Sequence, residues 1–486
     1  MRQRSFAIAW LVLASLFFYG YWNPTYLALI VISMSANFWF GKWVSERHKL
    51  HWVSCRVVLV FAVICNLASL AYFKYANFFI DNVSALLDDP ISFEKVALPL
   101  AISFFTFQQI AYVVDAFRGE SKDYSFFHYA LFVTFFPQLI AGPIVHHKEL
   151  LPQFDSQDIF RPSTKWLALG VTLFAIGLFK KVELADSLAE YSNRVFDASE
   201  SGQTIWLLEA WGGALAYTFQ LYFDFSGYMD MAMGSAMMIG IKLPPNFDSP
   251  YKSLNIIEFW RRWHMTLSRF LRDYLYITLG GNRFGIINRY RNLALTMLLG
   301  GLWHGAAWSF VLWGALHGGY LVINHAWHQV RSSVRLSDRS FGKPGVVCAW
   351  LLTFVAVVVG WVFFRAETID GASNLLASMA GLGWKELPES MSGRMSGFEQ
   401  VLLANGFSFQ GRFVISLREW VNGGALIATS FLIVLALPNT NEIFGKSDEV
   451  EFRWRPNKRW AFFVCLLFAS SILDLGKVSE FLYFNF

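Results

Sequence analysis

The sequence predicts an all-α polytopic membrane protein, on the basis of its composition and the length of its apolar segments. Hydrophobic residues make up 55% of the 486 residues, and charged residues only 15%. Soluble domains carry about 25% charged residues. A chain this apolar, dissolved in water, would have more apolar surface than its folding could bury. We therefore expect the chain to be integral to a membrane.

Apolar runs long enough for membrane helices occur along the whole chain, since a spanning helix needs about 20 mostly apolar residues. The runs at 166–179, 228–241 and 424–438, and the glycine-rich run at 292–303, are short and are expected to be re-entrant or buried. We predict about eleven spans, together with re-entrant or interfacial helices, in one membrane domain over residues 1–486. The other runs are 5–23, 25–41, 53–73, 95–117, 127–145, 205–223, 306–324, 346–364 and 460–476.

The positive charges predict an orientation, because Lys and Arg concentrate on cytoplasmic loops. The net charge is +5, and this distribution gives no indication of nucleic-acid binding. The connection 366–423 is expected outside, and Lys148, Arg161 and Lys165 do not fit the scheme. Arg2 and Arg4 precede a first run that is expected to remain as an anchor. The segments expected in the cytoplasm are 2–4, 42–56, 118–122, 180–181, 261–291, 331–343 and 446–459.

Residues 222–234, YFDFSGYMDMAMG, place Asp224, Ser226 and Asp230 in an apolar segment of helical character. A carboxylate at membrane depth costs at least about 2.5 kcal/mol on insertion scales, so it is expected to face a cavity or a partner. The favoured interpretation is structural: Asp224 and Asp230 pair with a nearby Arg, or cap a helix broken at Gly227. A direct part in chemistry is the alternative.

Residues 255–283 are rich in Arg with interleaved aromatic residues. On a helix, Glu258 would neighbour Arg262, and Trp260 would neighbour His264. The pattern is typical of a helix at the membrane interface, whose guanidinium groups reach water. A second interpretation, compatible with the first, is that the Arg side chains hold the phosphates of a cytoplasmic acyl donor. The candidates are Arg261, Arg262, Arg269 and Arg272.

His304 lies in LLGGLWHGAAWSF, residues 298–310, shortly after Gly301 and just before Gly305. Because glycine has no side chain, backbone or substrate can come close to the ring. Burial favours the neutral imidazole, which is a good proton acceptor at physiological pH. His304 is therefore a candidate general base. A buried structural histidine with its hydrogen bonds satisfied is the alternative.

Several long stretches, in the same order, resemble the membrane-bound O-acyltransferases. The resemblance is to their bacterial branch, typified by the membrane subunit of alginate O-acetyltransferase, and it covers nearly the whole chain. The stretches are LAYFKYANFF (70–79), LPLAISFFTFQQIAYVVDAFRGE (98–120), FFPQLIAGPIV (135–145), YTFQLYFDFSGYMDMAMG (217–234), FWRRWHMTLSRFLRDYLYITLGGNR (259–283), YRNLALTMLLGGLWHGAAW (290–308), LWGALHG (312–318) and GWVFFRAE (360–367).

This resemblance implies a ring of helices around a thin core, with a funnel that narrows toward the middle of the membrane. His304 matches the family's invariant histidine in its WHG motif, and His264 matches a second family histidine in FWRRWH. The central catalytic stretch would then cover residues 217–324, with Asp224, Ser226 and Trp303 in supporting positions. No metal site is expected, and His317 is expected to pack.

The implied activity is O-acyl transfer. The protein would take an acyl group, expected to be acetyl, from a cytoplasmic thioester such as acetyl-CoA, with no permanently bound cofactor. It would pass that group across the inner membrane of a Gram-negative cell to an extracytoplasmic polysaccharide such as alginate. The expected partners are the acyl donor, membrane lipid and a separate periplasmic protein of the SGNH-hydrolase type.

Two departures from the family and two alternatives accompany this prediction. Relatives generally have an additional apolar segment before the stretch at 11–22, so a helix is expected to be missing or the start site to differ. His146 and His147 stand where many relatives have Arg, and as helix neighbours they would point apart. The alternatives are a transporter or flippase, which broken helices and intramembrane Asp residues also suit, and a scaffold subunit of a glycan-export complex.

Overall fold

Helices dominate the computed structural model, which describes residues 2–46, 52–87, 93–121, 124–156, 163–333, 342–382, 385–393, 397–411, 414–445, 454–476 and 482. The first ten α-helices are α1 (Arg2–Trp22), α2 (Thr25–Ser45), α3 (Trp52–Leu70), α4 (Ala76–Leu87), α5 (Ile102–Arg118), α6 (Phe126–Thr134), α7 (Phe136–Leu139), α8 (His147–Phe154), α9 (Thr164–Phe179) and α10 (Asp186–Glu200). The others are α11 (Leu207–Met238), α12 (Ile256–Arg262), α13 (Met265–Phe270), α14 (Gly285–His304), α15 (Trp308–Ser333), α16 (Gly342–Arg365), α17 (Ile369–Met379), α18 (Glu399–Ala404), α19 (Leu417–Ala436), α20 (Thr440–Phe444) and α21 (Lys458–Asp474).

Within the described residues, three π-helical turns and two short 3₁₀ turns accompany these α-helices. The turn Ala71–Tyr75 joins α3 to α4, and the turn Lys180–Ala185 joins α9 to α10. The third, Leu271–Tyr276, follows α13. The 3₁₀ turns are Pro250–Lys252 and Glu389–Met391. Because a π-turn inserts one residue into a helix, it re-aims the side chains around it and is frequent near functional sites.

Four described helical segments are long and apolar enough to cross a bilayer: Thr25–Ser45, Ser54–Leu87, Gly342–Arg365 and Arg418–Ala436. The shorter Ser5–Tyr21 is also apolar. In it, Phe6 and Phe17 leave 73% and 74% of their surface uncovered by the rest of the chain, as lipid-facing rings would. These features agree with a polytopic helical membrane protein. The number of about eleven spans and the funnel remain predictions.

Some predicted helix limits are wrong. The runs 205–223 and 228–241 form one helix, α11, which continues through Gly227. A glycine costs only about 1 kcal/mol in a helix interior, so packing overrides it. In contrast, the run 127–145 is interrupted at Phe135, where α6 ends before α7 begins. The glycine-rich run at 292–303, predicted to be a short segment, is part of the 20-residue helix α14.

The described residues form two compact units. The first contains Met1–Gly177, Tyr228–Asn246 and Pro456–Val464, and the second contains Leu178–Gly227, Phe247–Arg455 and Cys465–Phe486. The prediction of one domain over residues 1–486 stays a prediction.

In the first unit, α2, α3 and α5 pack around a buried pair of amides. Asn37 donates from Nδ2 to Asn66 Oδ1 at 3.1 Å, and Asn66 donates back to Asn37 Oδ1 at 2.7 Å. Reciprocal hydrogen bonds satisfy amides that would be costly to bury alone. On α2, Gly41 lies against Tyr112 of α5, where a Cβ would overlap the phenol ring. The small residue therefore allows these two helices to approach closely.

A small parallel pair of strands in the second unit departs from the all-α prediction. Strand β1 (Glu386–Pro388) pairs with strand β2 (Ser408–Gly411). Both strands lie in the connection 366–423 that was predicted to be outside the membrane. Buried Glu209 of α11 accepts hydrogen bonds from the backbone N–H groups of Val414 and Ile415 at 2.9 and 3.1 Å. The end of this connection is thereby fixed to α11.

Helices α14 and α15 of the second unit form a closely packed hairpin along a seam of glycines. A Cβ on Gly301 would overlap the carbonyl oxygen of Phe310, and one on Gly314 would lie 2.6 Å from that of Met297. The glycines near His304 therefore admit backbone from the facing helix. The sequence left open whether backbone or substrate comes close to these glycines. At Gly301 the structure shows backbone of the facing helix.

The packing of this hairpin predicts that alanine substitutions at two of its glycines differ in their effect on stability. Gly301→Ala places a methyl group against the backbone of α15, so we expect a clearly lower thermal unfolding temperature in detergent. Gly319→Ala is the matched control, because nothing lies within 4 Å of its Cβ position. That change is expected to be neutral or slightly stabilising, since Ala favours helices by about 1 kcal/mol over Gly. Equal unfolding temperatures for the two variants would contradict the packing described here.

Candidate functional site

His264 lies at a break between α12 and α13. Helix α12 ends at Arg262, Trp263 is extended, and His264 adopts φ 42° and ψ 54°. A left-handed conformation is uncommon for a residue other than glycine, and such strain persists only where the surrounding structure holds it. The predicted helical neighbourhood of Trp260 and His264 is therefore wrong. The predicted pair of Glu258 and Arg262 is confirmed, with Arg262 Nη2 2.9 Å from Glu258 Oε1.

The imidazole of His264 is fully buried among aromatic rings. Phe225 of α11 meets it edge-on, with ring centroids 4.8 Å apart, and Trp303 of α14 lies at 6.3 Å. His264 is outside the candidate spans, and burial lowers the pKa of its ring from 6.5 to about 3. The ring is therefore neutral at physiological pH. In that state it can both donate and accept a hydrogen bond.

His304 is the last residue of α14, and the backbone leaves the helix at Gly305. Three rings surround its imidazole: Trp303 at 4.9 Å, Trp313 at 5.2 Å and Phe364 at 5.2 Å between centroids. Only 4% of the residue is exposed. Gly305 has a local function, because a Cβ there would overlap the Phe310 ring. A side chain at position 305 would displace Phe310 of α15, whose ring packs edge-on against Phe364 at 5.1 Å between centroids.

The structure brings the two predicted histidines together. The ring centroids of His264 and His304 are 6.4 Å apart, with an interplanar angle of 59°. The predicted supporting residue Trp303 contacts both rings. Two imidazoles at this separation can reach one small bound group from two sides. A water-poor aromatic enclosure also strengthens polar interactions made within it.

His317 packs against Trp313, on the side of that ring away from His304. Trp260 Nε1 donates to His317 Nδ1 at 3.2 Å, so the proton of the neutral His317 ring lies on Nε2. Trp313 packs between His317, at 4.8 Å, and His304, at 5.2 Å. Gly360 makes room for this arrangement, since a Cβ there would lie 2.7 Å from His317 Nε2. This geometry agrees with the predicted packing role.

Asp224 pairs with a lysine, where the sequence predicted an arginine. Lys181 Nζ lies 2.7 Å from Asp224 Oδ1 and 2.7 Å from Asp186 Oδ1. The π-helical turn Lys180–Ala185 carries this lysine. Ser226 is buried on the same helix as Asp224, and Asp230, also buried, belongs to the first unit. The ion pair favours the structural interpretation of Asp224. Supporting roles for Asp224 and Ser226 stay predictions.

The contacts of Lys181 with Asp224 and Asp186 predict a compensating pair of substitutions. Lys181→Met leaves the buried Asp224 carboxylate without its cation, and breaking such a pair costs about 3–5 kcal/mol. We expect little folded protein by size-exclusion chromatography in detergent. Adding Asp224→Asn should restore part of the yield, because the remaining Asp186 is the more exposed carboxylate, at 12% against 1%. A double variant no better than Lys181→Met would show that the pair contributes little.

The four predicted donor-binding arginines have different surroundings. Arg262 pairs with Glu258, and Arg272 pairs with Asp273 at 2.7 Å. Arg269 is half-buried, and Arg261 is exposed. A role for all four in binding phosphates remains a prediction. Two of the four guanidinium groups, those of Arg262 and Arg272, therefore already pair with a carboxylate.

His146 and His147 belong to the first unit and approach the same buried carboxylate. His147 Nε2 lies 3.2 Å from Asp115 Oδ2, and His146 Nδ1 lies 3.9 Å from the same oxygen. The expectation that they point apart on a helix is wrong, because His146 is extended and precedes α8. His147 thus partners Asp115 at a position where relatives were expected to have Arg.

These features define an integral membrane protein with a buried pair of histidines enclosed by aromatic rings. The model of the membrane-bound O-acyltransferase family, MBOAT, matches residues 6–361. The chain belongs to this family, as the resemblance predicted, and it is an acyltransferase. The comparisons thus support an enzyme over a transporter or scaffold without chemistry.

Three relatives illustrate the range of this family, from O-acetyl transfer to D-alanyl transfer. The chain is 44% identical over 398 residues to a peptidoglycan O-acetyltransferase of Helicobacter pylori, covering 77% of this chain and 73% of the relative. It is 39% identical over 484 residues to a probable alginate O-acetylase of Pseudomonas putida, covering 98% and 94%. A teichoic acid D-alanyltransferase of Streptococcus thermophilus is 30% identical over 286 residues, covering 56% and 69%.

Proposed function

We propose that this protein transfers an acetyl group from a cytoplasmic thioester, across the inner membrane, to hydroxyl groups of an extracytoplasmic polysaccharide. The observation that carries the proposal is the pair of buried histidines, 6.4 Å apart, in an acyltransferase of this family. A neutral imidazole is the commonest group for moving a proton at physiological pH.

In the proposed reaction, His304 is the general base. The oxygen of an acceptor hydroxyl attacks the thioester carbonyl, and its proton passes to a ring nitrogen of His304. The C–S bond then breaks, and the leaving thiolate takes the proton from the imidazolium. His264 orients or polarises the reacting group through a hydrogen bond, which its neutral ring can provide.

A second chemistry fits the same ring. A nitrogen of His304 attacks the thioester carbonyl, the thiol leaves, and an acyl-imidazole forms before the acceptor oxygen takes the acyl group. Rapid quenching with a radiolabelled donor, without acceptor, distinguishes the two. Label bound to the protein through His304 supports the covalent route, and its absence supports the general base.

The polysaccharide is proposed from the relatives. Peptidoglycan and alginate, named in the two relatives above, both carry sugar hydroxyl groups that can be acetylated. We also propose that the delivery of the acetyl group to sugar uses a separate periplasmic partner of the SGNH-hydrolase type. The thioester, expected to be acetyl-CoA, is a substrate, and the thiol left after acyl transfer is released in each turnover.

Deletion of the gene in its own host tests the proposed function. Acetate released by mild base from peptidoglycan and from exopolysaccharide would be measured in the wild type, in the deletion strain and in a complemented strain. We expect one polymer to lose its O-acetyl groups and to regain them on complementation. Unchanged acetylation of every surface polymer in the deletion strain would contradict the proposal.

A further inference from the structure

Trp313 of α15 is a deeply buried indole in contact with His304. Only 1% of the residue is exposed, and its ring lies 5.2 Å from the imidazole of His304 between centroids, nearly perpendicular to it. Three further rings pack against it: Phe364 at 5.1 Å, Trp361 at 5.9 Å and His317 at 4.8 Å. The indole is therefore held in place, away from water.

The indole N–H of Trp313 differs from those of two neighbouring tryptophans, because it has no acceptor. Trp260 Nε1 donates to His317 Nδ1 at 3.2 Å, and Trp361 Nε1 donates to the hydroxyl of Tyr251 at 3.1 Å. Within the described residues, by contrast, nothing accepts a hydrogen bond from Trp313 Nε1, although this atom is buried. A buried donor without an acceptor costs free energy, and such groups are rare in native proteins. Its place beside the candidate general base suits a ligand whose oxygen accepts this hydrogen bond.

His317 has another unpartnered N–H in this region, but that group faces a different helix. Among the described residues, His317 Nε2 is also buried without a partner. A Cβ at Gly360 would lie 2.7 Å from this nitrogen, so the nitrogen faces the backbone of α16. The ring of Trp313 separates His317 from His304. Of the two N–H groups, that of Trp313 belongs to the ring in contact with the general base.

The acyl donor of the proposed reaction has one strong acceptor for this hydrogen bond, its carbonyl oxygen. In both routes considered for His304, the attacking atom bonds to the carbonyl carbon, and the π electron pair of the C=O bond moves onto the oxygen. The return of that pair re-forms the carbonyl as the C–S bond breaks. Between these two steps the oxygen carries a negative charge, so a hydrogen bond to it is stronger than one to the neutral carbonyl.

We propose that Trp313 Nε1 donates this hydrogen bond, which makes Trp313 a catalytic residue that stabilises the oxyanion of the tetrahedral intermediate. The inference rests on the proposed function, because it concerns the carbonyl group of the thioester. The polarising hydrogen bond proposed above for His264 would supply a second donor, and oxyanion sites commonly combine several donors.

An indole is chemically well suited to this position. Its N–H donates a hydrogen bond but accepts none, so it does not compete with His304 for the proton of the attacking hydroxyl. It is also neutral, whereas a cation at the same distance would oppose the formation of the imidazolium. The aromatic enclosure excludes water, and a hydrogen bond to a charged oxygen is stronger in such surroundings than in water.

Two substitutions at position 313 separate the hydrogen bond from the ring. Trp313→Phe keeps an aromatic ring and removes the N–H. Trp313→benzothienylalanine keeps the size of the indole, with sulfur in place of the N–H. Trp350→Phe is the matched control, because this half-buried indole packs on Phe354 and donates to the carbonyl oxygen of Tyr251 at 2.9 Å. Initial rates of acetyl transfer are measured in proteoliposomes that contain the partner protein, over a range of donor concentrations.

We expect both substitutions at position 313 to lower kcat by about 10²–10³-fold, the usual effect of removing one oxyanion donor. The KM for the donor should change little, because the hydrogen bond gains most of its strength in the transition state. Trp350→Phe should match the wild type. A wild-type kcat in the benzothienylalanine variant would overturn the inference even if Trp313→Phe is slow, because the ring alone would then be sufficient.

Infrared spectroscopy provides a readout that does not depend on turnover. In a His304→Asn background, acetyl-CoA labelled isotopically at the carbonyl carbon is expected to stay intact. A hydrogen bond weakens the C=O bond, so the stretching frequency of the bound thioester should rise when Trp313→Phe is added. An unchanged frequency would overturn the inference. Absence of acetyl transfer by the wild-type protein would instead contradict the proposed function, and the frequency would still decide whether Trp313 donates to the bound thioester.

Discussion

His304→Ala is expected to abolish acetylation of the polysaccharide while the protein remains in the membrane at the wild-type level. In the proposed reaction, the imidazole of His304 is the only group that removes the proton from the attacking hydroxyl. General bases contribute about 10²–10⁴-fold to rates. The variant removes a buried ring, so Trp313 and Phe364 lose a contact, but α14 keeps its hairpin packing through Gly301. Acetate released from the polymer, divided by the amount of tagged protein in the membrane, is the measurement.

His304→Asn is the matched variant for this experiment. Asparagine keeps a polar side chain that can hydrogen-bond in the enclosure, but it has no basic ring nitrogen. Both variants should therefore be inactive. Normal acetylation at normal abundance in either of them would remove His304 from the chemistry and leave it a structural histidine.

His264→Ala should cause a severe but incomplete loss of transfer. The proposal gives His264 a hydrogen-bonding part, and losing one such donor or acceptor in a preorganised site costs about 10²–10³-fold. His264→Asn separates this effect from the backbone, because asparagine tolerates left-handed conformations better than most residues. Initial rates at saturating donor, in proteoliposomes that contain the partner protein, give the comparison.

If His264 were needed only to hold the turn between α12 and α13, His264→Asn would retain nearly wild-type rates. We expect instead that both variants are slow and that both remain folded. A wild-type rate for His264→Ala would show that the ring only fills space beside Phe225 and Trp303.

The sequence predicted the membrane class, the family and the two histidines that lie together in the structure. These predictions depend on composition and on local motifs such as WHG and FWRRWH, which are readable without knowledge of packing. The WHG motif also contains Trp303, which contacts both imidazoles. Trp313 and Phe364, which complete the enclosure of His304, were not singled out. Aromatic residues are common along this chain, so their positions gave no signal.

Features that depend on tertiary packing were predicted less well. The left-handed backbone of His264 arises because surrounding rings hold it, while the local sequence from Ile256 to Phe270 favours one continuous helix. Asp224 was expected to pair with an arginine, but its partner Lys181 lies on a distant part of the chain, where a π-turn places it.

Oriented membrane vesicles provide the most direct test of the claim that His304 transfers an acyl group supplied from the cytoplasm. Radiolabelled acetyl-CoA would be added outside inside-out vesicles and outside right-side-out vesicles, each containing the partner protein and the acceptor polysaccharide. We predict that label enters the polysaccharide only in inside-out vesicles and that His304→Ala eliminates it. Equal labelling in both orientations, or labelling that persists in His304→Ala, would contradict the claim.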